Sequence, residues 1–540
     1  MDFYSLLSRH AQATPNRVAF RDKDHSLDYA SLLAEVDRVA GVMASQGARR
    51  GDRLALWMPN GVEWLVTFLA CARLGITVVA VNTRFKEHEV GQLLQRGRCA
   101  WLAFWPAFKG LPFVETLRRV DPAIVGQLKG ILVVGADTET ESGTQVIQPL
   151  RAEWPALNFI PYANAETTLH IAEPGQEDDG ALVYTTSGTT SAPKLVLHRQ
   201  KGLIHHGEIA AAAYGVTQAS VVLIAAPMCG AFGFSTMLSG LIPGATLVSL
   251  AVFDAKTTVQ QIGDYGVTHT FANNELIDML LKETAGNPHP FPTLQYAGYA
   301  SFAPSMDDLP ERARDAGIPI AGLYGSSELQ ALVAGQRLDI DWQYRRAAGG
   351  TVASPDGRVR AVDPETGDVL PHGAIGQIEI KAPSLMSEYL DNPDATRKAI
   401  RPDGFFGTGD LGFTVDERTF IFQGRDGEHL RLAGFLVNPM EIEAFIRGIN
   451  GVQAAQVVGA EREGKTVPIA FVIPAPEAHL TEEAIIQACQ TSMAKFKVPA
   501  RVIFVEQFPM VQSANSNKVQ KHELRKMAQA LLDGDRNAQP

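Results

Sequence analysis

The stretch Tyr184-Thr185-Thr186-Ser187-Gly188-Thr189-Thr190-Ser191-Ala192-Pro193-Lys194 decides how the chain is interpreted. It follows the apolar run Ala181-Leu182-Val183, which predicts a buried strand that opens into a loop of hydroxyl side chains, one glycine and a lysine. Hydroxyl and backbone N–H groups converge on anionic oxygens, glycine allows close approach of the backbone, and lysine adds a positive charge. The pattern therefore predicts a polyphosphate-binding loop, and a solvated Ser/Thr turn is the simpler alternative.

Strand and helix patterns alternate over about the first 320 residues. Ser31–Gln46 carries apolar residues at a period of 3.6, which predicts an amphipathic helix, and the short apolar run Arg53–Met58 predicts a strand after it. Further apolar runs, such as Trp101–Trp105 and Val221–Ala226, are bounded by glycine, proline or polar residues. This alternation predicts parallel sheets covered by helices, with ligands at the carboxyl ends of the strands.

Two changes in composition predict the domain organisation. From about residue 349 glycine, proline and aspartate become dense and the apolar runs shorten, which is typical of an antiparallel β region. Beyond residue 424 the pattern becomes that of a small α+β domain. We therefore predict an α/β protein with an N-terminal core at 1–424, whose β subdomain lies at about 349–424, and a mobile C-terminal domain at 428–540. The hinge is expected near residues 425–427.

Composition argues against several classes of protein. The 540 residues include 48 Lys and Arg against 59 Asp and Glu, and the net charge of −11 disfavours binding to nucleic acid or anionic lipid. The four cysteines form no CxxC pair, which argues against a disulfide framework or a zinc ribbon. The amino terminus lacks the pattern of a signal peptide, and no apolar run reaches about 18 residues. We expect a cytoplasmic protein with no integral membrane segment, and the sequence leaves open whether it forms a homodimer.

One motif satisfies the Walker A pattern in the wrong context. Gly459–Thr466 reads G-x-x-x-x-G-K-T, but a Walker loop must open a helix so that the helix N-terminus faces phosphate. The residues that follow, Val467–Val472, have a β pattern, and the loop already carries Glu461 and Glu463. We interpret this segment as a hairpin connection.

Four other segments could carry chemistry. Tyr324–Glu328 combines an aromatic face for a base, hydroxyls for phosphate and a carboxylate for Mg²⁺, although Gly-Ser-Ser-Glu is also a good helix N-cap. Gly404–Asp410 places an aspartate, which could bind ribose hydroxyls, in a glycine-rich turn, and a plain β-turn explains it equally well. Gly424–Glu428 lies where the composition changes, and Ser513–Lys521 places lysines in a polar loop that could be plain surface.

Together with the first loop, these segments occur in one order over roughly 340 residues and resemble the signatures of the adenylate-forming superfamily. That superfamily includes acyl-CoA synthetases, aryl-CoA ligases and the adenylation domains of peptide synthetases. The resemblance covers nearly the whole chain. It implies that a carboxylic acid attacks the α-phosphate of ATP to give an acyl-adenylate and pyrophosphate, and that a thiol, usually of CoA, then displaces AMP. ATP and Mg²⁺ are the implied cofactors, and CoA is the implied co-substrate.

The resemblance also implies roles for the matching residues. Lys518 would bridge the substrate carboxylate and the α-phosphate oxygens, and would offset their charge as the two anions approach. Ser327 would meet the α-phosphate, and Glu328 would hold Mg²⁺. Tyr324 would stack on adenine, and Asp410 and Arg425 would bind ribose. The complete set expected to contact ATP or AMP is Thr186, Ser187, Gly188, Thr189, Thr190, Lys194, Ala300, Ser301, Tyr324, Gly325, Ser326, Asp410 and Arg425.

The same resemblance locates an acyl pocket and a mobile joint. Many relatives have His or an aromatic residue at the position of Gly230, so a glycine there is expected to widen the pocket entrance. We expect a hydrophobic acid, either fatty or aromatic. Gly427 aligns with the hinge, where many relatives carry Asp or Lys, and Gly434 would approach the CoA channel. The expected lining of the acyl pocket is Gly230, Phe232, Phe234, Gly298, Tyr299 and Leu323.

Two alternatives to a CoA ligase stay open at this point. One is an adenylating enzyme that loads a separate carrier protein. The other is a non-catalytic nucleotide-binding homologue, which is suggested by the departures from the family pattern at Gly427 and Asn517. Retention of Glu328, Asp410 and Lys518 argues against the second alternative.

Overall fold

The computed structural model describes residues 1–22, 25–108, 111–135, 141–162, 173–186, 194–300, 308–363, 366–425, 430–433, 435–437, 439–513, 516–519 and 521–537. The helices in these ranges are α1 Phe3–Ala13, α2 Tyr29–Ser45, α3 Val62–Leu74, α4 Glu87–Arg96, α5 Phe113–Arg119, α6 Pro122–Val125, α7 Glu141–Glu153, α8 Gln200–Tyr214, α9 Ala231–Leu241, α10 Ala255–Tyr265, α11 Asn274–Glu283, α12 Leu309–Asp315, α13 Trp342–Arg345, α14 Pro393–Ala399, α15 Pro439–Arg447, α16 Glu482–Ser492 and α17 Lys521–Asn537.

The strands up to the end of the parallel pairing are β1 Val18–Arg21, β2 Ser26–Asp28, β3 Arg53–Trp57, β4 Thr77–Ala80, β5 Trp101–Phe104, β6 Gly130–Val133, β7 Asn158–Pro161, β8 Gly180–Thr186, β9 Lys194–Arg199, β10 Val221–Ile224, β11 Thr246–Ser249, β12 His269–Asn273, β13 Tyr296–Ala300 and β14 Ile320–Ser326. The later strands are β15 Gln330–Gly335, β16 Gly349–Val352, β17 Arg358–Val362, β18 Gly376–Lys381, β19 Glu388–Tyr389, β20 Phe406–Thr414, β21 Thr419–Arg425, β22 Leu430–Leu432, β23 Phe435–Val437, β24 Val452–Arg462, β25 Lys465–Pro474, β26 Arg501–Phe504, β27 Met510–Ser513 and β28 Ser516–Val519.

Two large sheets form the N-terminal part of the molecule. The first has the order β19-β9-β8-β4-β3-β5-β6-β7, and its strands are parallel from β8 to β7. The second has the order β17-β18-β20-β21-β16-β15-β14-β13-β12-β10-β11-β1-β2, and its strands are parallel from β14 to β1. These parallel sheets with their covering helices confirm the predicted α/β fold.

The local sequence explains why these strands and helices form where they do. In β3 the residues Leu54, Ala55, Leu56 and Trp57 are all buried, which is typical of a parallel strand covered on both faces. Helix α2 begins after Asp28, whose carboxylate accepts a hydrogen bond from the Ser31 backbone N–H at 2.7 Å. Its buried residues recur at helical spacing, as the sequence pattern predicts.

The antiparallel region begins earlier than the composition suggests. We place its start at about residue 349, whereas β15 already runs antiparallel to β14 from Gln330. The apolar residues of β15 are buried in the same way as those of the parallel strands, so the composition does not mark the reversal. The strands of the predicted β subdomain therefore continue the second sheet through their hydrogen bonds to β15 and β14.

The C-terminal part, which we define as residues 439–537, contains a separate three-stranded sheet of β24, β25 and β26. The Walker-like segment forms the hairpin between β24 and β25, with Arg462 opposite Lys465. Glu463 and Gly464 lie at the tip with φ of 53° and 73°. The interpretation of this segment as a hairpin connection is confirmed, because a strand follows the lysine where a Walker loop needs a helix.

Among the described residues, no helix is both long enough and apolar enough to cross a membrane.

Helix α8 offers a matched pair of glycines for a test of packing. A Cβ at Gly207 would lie 2.4 Å from Ile242 Cγ1 and 3.1 Å from the Leu238 carbonyl oxygen. A Cβ at Gly202 would meet no atom of the described part of the chain within 4 Å. We expect Gly207→Ala to destabilise the fold by about 1–3 kcal/mol through overpacking. Gly202→Ala should stabilise it by about 0.5–1 kcal/mol, because alanine has the higher helix propensity.

Urea denaturation followed by circular dichroism would measure both variants against the parent chain. Midpoint shifts of opposite sign support the packing of α8 on α9, and an equal shift for both variants would contradict it.

Candidate functional site

The two ends of the hydroxyl-rich loop lie side by side. Strand β8 runs to Thr186 and β9 returns antiparallel from Lys194, and these two residues are paired in register. The loop itself, residues 187–193, lies outside the described residues. Strand β8 is fully buried from Ala181 to Tyr184, so the loop starts from a fixed support at the carboxyl end of a parallel strand.

Glu328 and Lys194 meet at one tyrosine. The Tyr389 hydroxyl donates a hydrogen bond to Glu328 Oε1 at 2.8 Å, and Lys194 Nζ lies 4.5 Å from the centre of the Tyr389 ring. Strand β19 places Tyr389 here because it pairs with β9, with Tyr389 opposite Val196. Burial lowers the pKa of Lys194, and the charge of Glu328 opposes that shift. The pKa of Tyr389 is raised by burial and by Glu328, so its hydroxyl stays a donor.

A tight reversal of the chain presents the serines and the carboxylate. Ser326, Ser327 and Glu328 are half-buried between β14 and β15, and Gly325 is exposed. A Cβ at Gly325 would lie 2.4 Å from the Ala331 Cα, so the close return of β15 requires glycine here. The segment connects two strands and caps no helix, which removes the helix N-cap alternative.

His198 supports this reversal from the neighbouring sheet. Its Nε2 donates to the Ser327 carbonyl oxygen at 2.7 Å. Burial lowers the pKa of His198 to about 4, against the raising effect of that hydrogen bond, so the imidazole is neutral near pH 7. A neutral ring with a proton on Nε2 is the form that can hold a carbonyl oxygen without placing a charge beside the site.

Tyr324 and Asp410 are directly linked. The Tyr324 hydroxyl donates to Asp410 Oδ2, and the tyrosine ring packs edge-on against Phe420 with ring centres 5.0 Å apart. Asp410 is 2% exposed and its backbone is paired with that of Arg425 across β20 and β21. The structure thus brings together the three residues that are expected to meet adenine and ribose. Stacking of Tyr324 on adenine stays a prediction.

The residues expected at the acyl pocket fall into two groups. Gly230 and Phe232 are half-buried at the start of α9. Gly230 has room, because among the residues that the structure describes an added Cβ would meet only the Pro227 carbonyl oxygen, at 3.6 Å. The others lie deeper. Phe234 is fully buried, with its ring centre 5.0 Å from that of Phe68. A Cβ at Gly298 would lie 2.5 Å from a Leu323 methyl carbon, and the Tyr299 hydroxyl donates to the Arg346 carbonyl oxygen.

A buried cluster of charges joins the C-terminal part to α4. Lys497 Nζ lies 2.7 Å from Glu89 Oε1 and 2.7 Å from Glu441 Oε1. Glu89 also accepts a hydrogen bond from the Ala494 backbone N–H at 3.1 Å. Burial alone would lower the pKa of Lys497, but the charges of Glu89 and Glu441 raise it, so the ammonium is held in its charged form.

Several predicted positions lie partly or wholly outside the described residues. Lys518 lies in β28, where its backbone is opposite Val511, and its side chain is outside the described residues together with that of Arg425. The predicted positions that lie wholly outside the described residues are Ser187, Gly188, Thr189, Thr190, Ser301, Gly427 and Gly434.

Sequence reasoning misses three residues that the structure places at the site. Tyr389 is a single tyrosine in a two-residue strand, and no local pattern distinguishes it. His198 interrupts the apolar run of β9, which is a weak signal of a special contact. Gln330 begins a buried strand, and a buried amide in an apolar run is the signal that could have found it.

Comparison with known proteins covers nearly the whole chain. The family described as AMP-binding enzyme matches residues 7–390, and the family described as AMP-binding enzyme C-terminal domain matches residues 441–515. The structure is similar to that of an o-succinylbenzoate CoA synthetase from Bacillus subtilis bound with a product analogue. The TM-score is 0.81 at 23% identity, and the similarity covers 97% of this chain and 98% of the other, which supports the fold.

Two relatives match nearly the whole chain. The chain is 30% identical over 541 residues to a 3-[(3aS,4S,7aS)-7a-methyl-1,5-dioxo-octahydro-1H-inden-4-yl]propanoyl:CoA ligase of Rhodococcus jostii, with 96% and 98% of the two chains covered. It is 28% identical over 513 residues to a long-chain-fatty-acid–CoA ligase of Mycobacterium tuberculosis, with 93% and 94% covered. With the site geometry and the family matches at 7–390 and 441–515, these likenesses show that the chain belongs to the AMP-binding enzyme family.

Proposed function

We propose that this chain is an AMP-forming carboxylic acid–CoA ligase that acts on a hydrophobic acid. The observation that carries the proposal is the meeting of Glu328 and Lys194 at Tyr389, beside the hydroxyl-rich loop and at the carboxyl end of a parallel strand. Relatives that match nearly the whole chain are CoA ligases, which supports the same reaction.

The proposed reaction has two steps, and in each one bond forms as another breaks. In the first, a carboxylate oxygen of the acid forms a bond to the α-phosphorus of ATP while the bond from that phosphorus to pyrophosphate breaks. In the second, the thiolate of CoA attacks the acyl carbon, and the acyl–oxygen bond breaks to release AMP. Both reactants of the first step are anions, so positive charge at the site lowers the cost of bringing them together.

We assign each group of the reactants to particular residues of this chain. The loop from Thr186 to Lys194 binds the β- and γ-phosphates, and Ser327 meets the α-phosphate. Lys518 reaches the carboxylate and the α-phosphate from the C-terminal part. Its role is to offset charge and to position the two reactants, without a transfer of protons.

Magnesium fits the donors that the structure presents. Glu328 is a half-buried carboxylate that keeps one oxygen clear of the Tyr389 hydrogen bond. Mg²⁺ is usually bound by one or two carboxylates together with substrate phosphates. No group of three or more His, Cys, Asp or Glu side chains could hold a metal in the described ranges, so Glu328 with ATP phosphates is the fitting arrangement. When bound, the metal would neutralise phosphate charge.

The C-terminal part has to occupy two positions if Lys518 serves only the first step. We assign the joint to residues 425–427, with Gly427 as hinge, and the approach to CoA to the segment at Gly434. Lys497 and Glu441 both belong to the C-terminal part, whereas Glu89 belongs to α4. A rotation would therefore separate Glu89 from the ammonium and leave the Lys497–Glu441 pair intact. The Glu89 contact holds the observed position.

Oxygen tracing tests the reaction itself. Hydrophobic acids labelled with ¹⁸O in the carboxylate are incubated with the chain, ATP, Mg²⁺ and CoA, and the AMP is analysed by mass spectrometry. One ¹⁸O atom per AMP, formed together with acyl-CoA, supports the proposal, because the carboxylate oxygen leaves with the phosphate. Unlabelled AMP, or AMP release that does not depend on CoA with any acid, would contradict it.

Lys518→Ala should separate the two steps. Adenylation should fall by about 10²–10³-fold, which is the scale for loss of a preorganised charge partner. Thioester formation from a supplied acyl-adenylate and CoA should largely persist. Exposed Lys465 of the Walker-like hairpin is the matched control, and Lys465→Ala should leave both steps unchanged. Equal loss of both steps in Lys518→Ala would rule out the proposed role.

Glu89→Gln should change the balance between the two steps. Loss of one partner from a buried ion pair costs about 3–5 kcal/mol, so the observed position should lose occupancy. We expect the ratio of the adenylation rate to the thioester rate to change at least about 10-fold, which corresponds to about 1.4 kcal/mol.

Lys526→Met, which removes an exposed ion pair with Glu523 in α17, should leave the ratio unaltered. If Glu89→Gln changes the adenylation rate and the thioester rate by the same factor, the contact of Glu89 with Lys497 contributes to stability alone.

Gly230→Trp should reduce the range of acids that the chain accepts as substrates. The site has space for a side chain, and an indole there should exclude bulky acids while short acids remain substrates. The comparison of kcat/KM across acids of graded length should show at least a 10-fold loss for the bulky ones, about 1.4 kcal/mol. An unchanged profile would remove Gly230 from the pocket.

A further inference from the structure

The buried side-chain amide of Gln330 has hydrogen-bond partners for its oxygen and none for its nitrogen among the described residues. Gln330 is 0% exposed, and its Oε1 accepts hydrogen bonds from the Tyr184 hydroxyl at 3.0 Å and from Ser235 Oγ at 3.2 Å. Its Nε2 has no hydrogen-bond partner among the residues that the structure describes. A buried donor without a partner costs about 1–3 kcal/mol, so such a group calls for a ligand or another functional reason.

The surroundings of the amide leave its position tightly fixed. Tyr184 and Ser235 are themselves buried, and Gln330 has a φ of 68°, in the left-handed region that non-glycine residues rarely adopt. Such a backbone costs roughly 1–3 kcal/mol and is often found at functional sites. The chain also returns closely here, since the Gln330 carbonyl oxygen lies 2.8 Å from where a Gly325 Cβ would be.

The amide contacts two elements that carry residues of the proposed reaction centre. Tyr184 is two residues before Thr186 in β8, so both side chains project from the same face of that strand. Gln330 is two residues after Glu328, at the end of the turn that connects β14 to β15. Ser235 lies one helical turn after the half-buried Ala231, on the same stripe of α9. The amide is therefore bonded both to the strand that leads into the hydroxyl-rich loop and to the helix that begins after Gly230.

We propose that Gln330 determines specificity by donating a hydrogen bond from Nε2 to an oxygen in the tail of the acid. The inference rests on the proposed acid–CoA ligase activity and refines its substrate class. The preferred acid is hydrophobic but carries one acceptor, such as a ketone oxygen, a few bonds from its carboxyl group. A plain alkyl or aryl tail would leave the Nε2 donor buried and unpaired, and would lose the corresponding binding energy.

Matched pairs of acids test the proposal. Straight-chain acids are compared with analogues in which one CH₂ group, at each successive carbon, is replaced by C=O, and kcat/KM for CoA-dependent AMP release is measured. At one position the oxo acid should be preferred by at least about 10-fold, which corresponds to about 1.4 kcal/mol. Gln330→Met should abolish that preference. Gln330→Glu should reverse it, because a carboxylate accepts hydrogen bonds where the amide donates them.

Ser239→Ala is the control, since this buried hydroxyl lies one turn further along α9 and bonds only the Thr236 carbonyl among the described groups. It should leave the preference intact. Turnover of plain acids without an oxo preference at any position would overturn the inference and leave the ligase activity standing. The same preference in Gln330→Met would also overturn it. If no acid is turned over, the proposed function fails, and this inference fails with it.

Discussion

The reversal of the chain at Gly325 is the constraint on which the site depends. Strand β14 is the last parallel strand of its sheet, and β15 returns against it so closely that a side chain at Gly325 would collide with the Ala331 backbone. This return leaves Ser327 and Glu328 half-buried at the carboxyl end of the sheet and places Gln330 in a fully buried position. Under the proposed function, this one backbone feature supplies a phosphate contact, a metal ligand and a hydrogen-bond donor for the acid.

The two lysines Lys194 and Lys497 have different electrostatic surroundings. At the site Lys194 is half-buried and its pKa is lowered by burial, so incoming phosphate would relieve an unfavourable environment. At the contact between the C-terminal part and α4, Lys497 is already matched by Glu89 and Glu441, and its charge is balanced without a ligand. The environment of Lys194 thus favours binding of an anion. In the proposed rotation Glu89 would separate from Lys497, and Glu441 would stay with it.

Local sequence patterns predict most of the fold, and long-range contacts account for what they miss. The predicted strand at Arg53–Met58 is observed at Arg53–Trp57, because its apolar run needs only burial on both faces. The roles of Tyr389 and Glu89 depend on pairing with β9 and with Lys497, which lie far away in sequence. The composition misplaces the start of the antiparallel region, since β15 is as apolar as the parallel strands.

A crystal structure with a non-hydrolysable acyl-adenylate analogue tests the central claim most directly. The account predicts that the phosphate mimic lies at Ser327, the ribose at Asp410, and the adenine against Tyr324. The acyl chain should extend from there towards Gly230. Binding of the analogue elsewhere, with the turn between β14 and β15 making no contact to it, would contradict the account.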